Sequence, residues 1–267
     1  MMPDYHIGSL DEASKKILLE GETKVVSTEP RPIFLDARAW TKAVLYAKRS
    51  VSWDCRIFTF KLEHNEQEFG LPTGQHVMMR IKDPETKDNV IRSYTPISET
   101  NEKGQLDVLV KIYFDTKERK GGKMTKALDA LPIGESLDFK GPIGKFQYLG
   151  RGRCSVNGTE RLVKSFYMIC GGSGVTPIYQ VFRAVMQDKE DNTNCVVLDG
   201  NRLLEDILCK DEMNYFAQEN PHKCKVIHTL TQGPKTWKGS RGRIGPVMLR
   251  EHCERREGCM VLICGPG

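Results

Sequence analysis

The sequence predicts two domains of different class: a small antiparallel β-barrel, then an α/β doubly wound parallel-sheet domain truncated at its C-terminus. Three observations carry this. Before residue 150 the chain reads as short strands with turn-rich breaks and one helix. After Leu162 strands alternate with helices, the pattern of βαβ units. The 267 residues suffice for two hydrophobic cores.

Residues 1–32 read as a linker, with a short helical candidate around Leu10–Leu19 and then the Pro-bounded stretch Ser27–Pro32. The barrel spans 33–150. In Ile57–Leu62 strict alternation puts Phe58, Phe60 and Leu62 on one face. Gln75–Ile81, Val90–Thr95 and Leu106–Tyr113 follow as strands, separated by turns such as Gly70–Gly74 and Asn101–Gly104. A helix over Met124–Leu131 opens after Gly121-Gly122 and stops at Pro132; strands at Ser136–Lys140 and Phe146–Leu149 complete the barrel.

The second domain spans 151–267. An apolar strand, Ser165–Cys170, runs into a glycine-rich turn and a helix at Ile178–Gln187. Strand Cys195–Leu198, helix Leu204–Glu219, strand Lys225–Leu230, helix Pro246–Glu254 and strand Met260–Cys264 follow. The chain stops at Gly265-Pro266-Gly267, where such a domain would continue with a covering helix, so the domain is expected to be incomplete.

Composition narrows the function classes. Hydrophobic residues make up 39% and charged residues 28%, the balance of a soluble globular protein. The net charge of +5 comes from 40 basic and 35 acidic residues, interspersed, which argues against nucleic-acid binding. No stretch approaches the roughly 20 apolar residues of a membrane span. The N-terminus is too polar for a signal peptide, so a cytoplasmic location is expected. The nine cysteines are scattered without a C-x-x-C, which favours free thiols over disulfides. His252, Cys253, Cys259 and Cys264 fit no common zinc spacing, and no metal is expected.

Four motifs carry chemistry. Arg92-Ser93-Tyr94-Thr95 ends a barrel strand, offering a bidentate cation for phosphate, an aromatic face and a hydroxyl. Gly121-Gly122-Lys123-Met124-Thr125 opens a helix, whose free N–H groups suit a pyrophosphate. Cys170-Gly171-Gly172-Ser173-Gly174-Val175-Thr176-Pro177 joins a strand to a helix, the setting of a dinucleotide loop, with Thr176 placed to cap the helix. Cys264-Gly265-Pro266 ends a parallel strand, where ligands bind in such sheets. Each alone has a bland reading: a polar strand end, a glycine-rich helix start, a structural turn, a small buried cysteine.

Together they resemble the ferredoxin–NADP reductase superfamily, within it the cytochrome b5 reductase branch. The likeness covers nearly everything from about residue 40 onward. Asp4–Leu10 and the insert Gly150–Gly158 are most similar to the reductase portion of eukaryotic assimilatory nitrate reductases, fungal rather than plant. The resemblance implies a FAD-binding barrel and a Rossmann-like NAD(P)-binding domain. It implies that Arg92, Ser93, Tyr94 and Thr95 bind FAD. Leu109, Val110, Lys111, Ile112, Tyr113 and Phe114 would line the flavin and its phosphates. Gly122, Lys123, Met124 and Thr125 would hold its pyrophosphate. Gly171, Gly172, Ser173, Gly174 and Pro177 would form the nucleotide loop, with Thr176 between flavin and nicotinamide. Cys264, Gly265 and Pro266 would place the nicotinamide. Thr95, Thr176 and Cys264 form the expected catalytic set.

NADPH is favoured over NADH, because Arg202 could pair with a 2′-phosphate; Glu205 and Asp206 nearby keep NADH open. The implied partner is a b5-type haem domain upstream in the same polypeptide, in nitrate assimilation; a homodimer of the longer enzyme is left open. The rivals are a stand-alone cytochrome b5 reductase, a truncated FAD-binding fragment without turnover, and a colourless interaction module.

Overall fold

The computed structural model describes residues 33–266. The linker expected over 1–32 lies outside the described residues, as does Gly267. The chain divides between Gly144 and Lys145 into two compact units.

The first unit is a six-stranded antiparallel sheet. Its strands are β1 (Thr41–Ser50), β2 (Cys55–Lys61), β3 (His76–Lys82), β4 (Asn89–Tyr94), β5 (Gln105–Lys111) and β6 (Ser136–Ile143), in the order β4-β3-β6-β1-β2-β5. The sheet curls until its edges approach: beyond β4, the Ile97 N–H donates to the Asp107 carbonyl of β5 at 2.9 Å. The core is what alternation in β2 predicts. Phe58 and Phe60 are fully buried, and Phe60 and Phe139 meet edge to face at 5.1 Å. Burying each such ring contributes about 1.5–3 kcal/mol. Helix α1 (Lys123–Ala130) closes one end with Met124, Ala127 and Leu128 in that core.

The second unit holds two sheets. The parallel sheet contains β10 (Ser165–Gly171), β11 (Asn194–Asn201), β12 (Cys224–Leu230), β13 (Ser240–Arg241) and β14 (Cys259–Cys264), ordered β13-β12-β11-β10-β14. Helices α2 (Val175–Gln187), α3 (Lys210–Glu219) and α4 (Pro246–His252) connect them. The smaller antiparallel sheet is β7 (Phe146–Gly150), β8 (Arg153–Val156) and β9 (Thr159–Leu162).

The structure differs from the sequence expectation in several places, and strands β8, β9 and β13 have no counterpart in that expectation. The boundary falls after Gly144, not Gly150, because β7 pairs with β8 rather than with the barrel. Its Tyr148 packs against Phe166 of β10 and donates its hydroxyl to buried Asp191. The helix expected over 204–219 is broken: a short 3₁₀ turn at Leu204–Asp206 precedes α3, and Cys209 between them is left-handed at φ 52°. Strand β1, absent from the expectation, lies next to the centre of the barrel sheet.

Candidate functional site

In the first unit the candidate site residues gather around β4, β5 and the start of α1. Strand β4 is a sheet edge, so Arg92 and Ser93 are exposed while Tyr94 packs against the core. The Arg92 guanidinium donates to the neighbouring Ile91 carbonyl at 2.7 Å. Burial pushes the Tyr94 phenol up, with Arg92 opposing and Tyr113 reinforcing, so it stays a neutral donor. Thr95 follows, buried.

Strand β5 divides its side chains between two faces. Val110 and Ile112 fill the barrel core. Leu109 is buried on the other face, and Lys111 forms an ion pair of 2.7 Å with buried Asp54. Tyr113 and Phe114 emerge half-exposed, Phe114 stacked on exposed Trp53. Of the six positions implied as flavin-lining, Val110 and Ile112 therefore keep only backbone groups for a ligand. Met124 likewise turns its side chain into the core.

The start of α1 is built for close backbone approach. A Cβ at Gly121 would stand 2.3 Å from the Tyr113 carbonyl, and one at Gly122 would stand 2.6 Å from Thr125 Oγ1. The helix has no side-chain cap, so first-turn N–H groups need outside acceptors. Thr125 Oγ1 accepts the Tyr113 N–H at 3.2 Å, tying α1 to β5's exit. Asp115 accepts the Gly121 N–H and pairs with Lys126 at 2.7 Å. That backbone bond, then Lys126, hold its carboxyl below the ordinary carboxylate value. Lys123 leans toward Asp83 at 3.8 Å, yet its side chain stays exposed.

In the second unit the candidate site residues lie at the carboxyl ends of β10, β11 and β14. Gly172 turns the chain at φ 53°, a left-handed conformation that favours glycine, and Ser173 beside it is exposed. A Cβ at Gly174 would collide with the Cys264 carbonyl at 2.3 Å, and one at Gly171 would stand 3.5 Å from Pro266 Cδ. The glycine turn and the Cys264-Gly265-Pro266 segment are thus one packed unit. Thr176 does not cap α2: its hydroxyl donates back to the Ser173 carbonyl at 3.3 Å, because α2 already begins at Val175. Pro177 sits in the first turn, where its missing N–H costs nothing. Burial raises the Cys264 thiol above its ordinary value.

Below this turn, Asp199 and His228 are buried and bonded at 2.9 Å, and His228 reaches Asn214 at 3.1 Å. Above it, Arg202 is exposed and reaches Gln232 at 3.4 Å. Asn201 accepts the Gly172 N–H through Oδ1 at 3.2 Å, while its Nδ2 is buried without a partner.

Residues 42–148 match the model of the oxidoreductase FAD-binding domain, and residues 168–267 that of the oxidoreductase NAD-binding domain. Over its whole length the chain is 58% identical to the nitrate reductase [NADPH] of Leptosphaeria maculans and 56% to that of Aspergillus niger. It spans only 30% and 31% of those proteins. The crystal structure of the cytochrome b5 reductase domain of Ulva prolifera nitrate reductase superposes with a TM-score of 0.84 at 36% identity, covering 89% of this chain and 90% of that one. The chain belongs to the cytochrome b5 reductase domains of nitrate reductase.

The residues of this reductase domain fit its two ligands. An uncapped helix start beside an exposed arginine suits a pyrophosphate, and the glycine turn with an orphaned Asn201 amide suits a dinucleotide. Sequence reasoning missed Asn201, Asp115 and Asp54. Asn201 carried a readable signal, since it directly follows the second parallel strand's Asp199-Gly200. The other two act through contacts that no motif displays: Asp54 through its ion pair with Lys111, Asp115 through the Gly121 N–H and Lys126. No helix among the described residues is long and apolar enough to cross a membrane.

Proposed function

We propose that this reductase domain takes a hydride from NADPH onto FAD and passes electrons to a b5-type haem carried by the same longer polypeptide, in cytoplasmic nitrate assimilation. The carrying observation is the packing of Cys264-Gly265-Pro266 onto the glycine turn at the carboxyl ends of β10 and β14. That is where a parallel sheet binds a nucleotide.

Bound FAD supplies the conversion of a two-electron hydride into single electrons. The chain's residues bind and orient. Arg92 and the first-turn N–H groups of α1 would hold the pyrophosphate, and Tyr94 would offer an aromatic face to the flavin. Thr95, directly after β4, would offer hydroxyl or backbone groups to the flavin, and Thr176, in the first turn of α2, would offer them to the nicotinamide dinucleotide. Cys264 stays a neutral thiol, placing no negative charge beside the nicotinamide.

The choice of NADPH rests on Arg202, exposed at the end of β11, and on the tied-down state of a competing carboxylate. Asp206 accepts the Leu203 N–H at 3.0 Å within its own turn. The names of the two fungal relatives agree.

The test is the purified chain's visible spectrum, then ferricyanide reduction with each nucleotide. A yellow protein that turns over NADPH at least tenfold more efficiently than NADH supports the proposal. A colourless protein would sink all of it, and an NADH preference would overturn the nucleotide choice.

A further inference from the structure

We propose that Asn201 is a dinucleotide-contacting residue: its carbonyl end fixes the glycine turn, and its amide end donates to an oxygen of the bound nicotinamide dinucleotide. The inference rests on the nucleotide reading above and adds a residue to it.

Asn201 is the last residue of β11, beside the last residue of β10 in the parallel register Gly171↔Gly200. The carboxamide has one acceptor and one donor end. Its orientation is fixed by its neighbour. The Gly172 N–H can only donate, so the end facing it at 3.2 Å is Oδ1. The NH₂ must then face away from that bond.

That NH₂ has no acceptor, although the residue is only 8% exposed and Nδ2 itself is buried. Buried donors are nearly always paired, and an unpaired one is costly. The chain tolerates the cost at the carboxyl end of a central parallel strand, against the turn where α2 begins. Because Nδ2 is buried in this structure, a phosphate or ribose oxygen meets the requirement as the turn shifts to admit the ligand: it is an acceptor, and it arrives only then.

Gly172 supports the same reading. Its left-handed turn is held by this side chain. The residue that shapes the loop is therefore the one left with a free donor beside it. A purely structural asparagine would use both ends within the protein.

The substitution Asn201→Asp separates the two roles. Aspartate is nearly the same shape and still accepts the Gly172 N–H, but it offers a carboxylate where the amide donated. The FAD-loaded chain is titrated with NADP⁺ by calorimetry, which needs no turnover. The expected result is at least tenfold weaker NADP⁺ binding, with FAD stoichiometry unchanged. In turnover, KM for NADPH rises at least tenfold while kcat at saturation holds within about twofold. Asn201→Ser, uncharged and too short to reach, gives the same loss should the aspartate lower the melting temperature.

Wild-type affinity for NADP⁺ in both variants would overturn the role of Asn201 and leave the proposed function standing. A wild-type chain that binds neither NADP⁺ nor NAD⁺ would overturn the nucleotide reading itself, and this inference with it.

Discussion

Replacing Gly174 by alanine adds one methyl group where there is no room for it. Its Cβ would stand 2.3 Å from the Cys264 carbonyl oxygen, 2.6 Å from the carbonyl carbon and 2.7 Å from Gly265 Cα. Ordinary contact begins near 3.4 Å, so α2 and the end of β14 must part by about 1 Å in a close-packed interior. All three atoms are backbone, so no rotamer change relieves the clash. Gly174 itself has φ −66° and ψ −7°, which suits alanine, so backbone strain adds nothing. In the unfolded chain alanine is stiffer, favouring folding by about 0.4–1 kcal/mol. Overpacking opposes this with about 1–3 kcal/mol, so the net effect is destabilising. The larger consequence is positional, since a shift of about 1 Å at a reacting group costs on the order of 100-fold in rate. Steady-state ferricyanide reduction, thermal melting and flavin absorbance read the three quantities together. The expected variant keeps its FAD, melts a few degrees lower and loses about 100-fold in kcat/KM for NADPH. Wild-type kcat/KM with an unchanged melting temperature would refute the steric reasoning.

Arg92→Ala removes an exposed cation, so thermal stability should hold within about 0.5 kcal/mol. FAD affinity, followed by fluorescence on dilution, should fall at least tenfold; equal affinity would remove Arg92 from the pyrophosphate site. Tyr148→Phe keeps the ring against Phe166 but strips a partner from buried Asp191 and from the Gly152 N–H. It should cost about 1–3 kcal/mol in a chemical melt, and a neutral result would show that the hub is not needed. The Cys264 thiol is raised above 9.0 by burial, so the thiolate forms only in alkaline solution. Its alkylation by iodoacetamide, read by peptide mass spectrometry, should be slow at neutral pH and still climbing above pH 9. A plateau below pH 9 would contradict the shift.

The parts legible in the sequence were those where one physical rule acts alone. Phe58, Phe60 and Leu62 alternate cleanly, and all three are buried in the barrel core. The alternation of strands and helices after Leu162 was equally readable, because each parallel strand needs a crossover. Strand β1 was hidden because apolar Val44 and Tyr46 lie on its exposed face and a bulge between Leu45 and Ala47 breaks its period. Strand β9 is exposed along its length, so it has no buried face to read. Its hairpin was still signalled by Asn157-Gly158, the pair a two-residue turn prefers. At the candidate site the motifs name segments but not side-chain directions. Val110, Ile112 and Met124 lie in those segments and point into the core, a consequence of pleat and helix face rather than of motif.

The hairpin of β8 and β9 has a consequence for how this domain can vary. Asn157 and Gly158 both take left-handed conformations, and a Cβ at Gly158 meets nothing within 4 Å. The sheet's anchor lies at its other end, where Tyr148 and the Arg151 N–H meet Asp191. A tip that is open and a root that is pinned make this the place where chain length can drift. Residues added at 157–158 lengthen a projection without disturbing the strands that carry Cys170 and Cys264. Natural variation in length between relatives, and any inserted reporter, should therefore be best tolerated there.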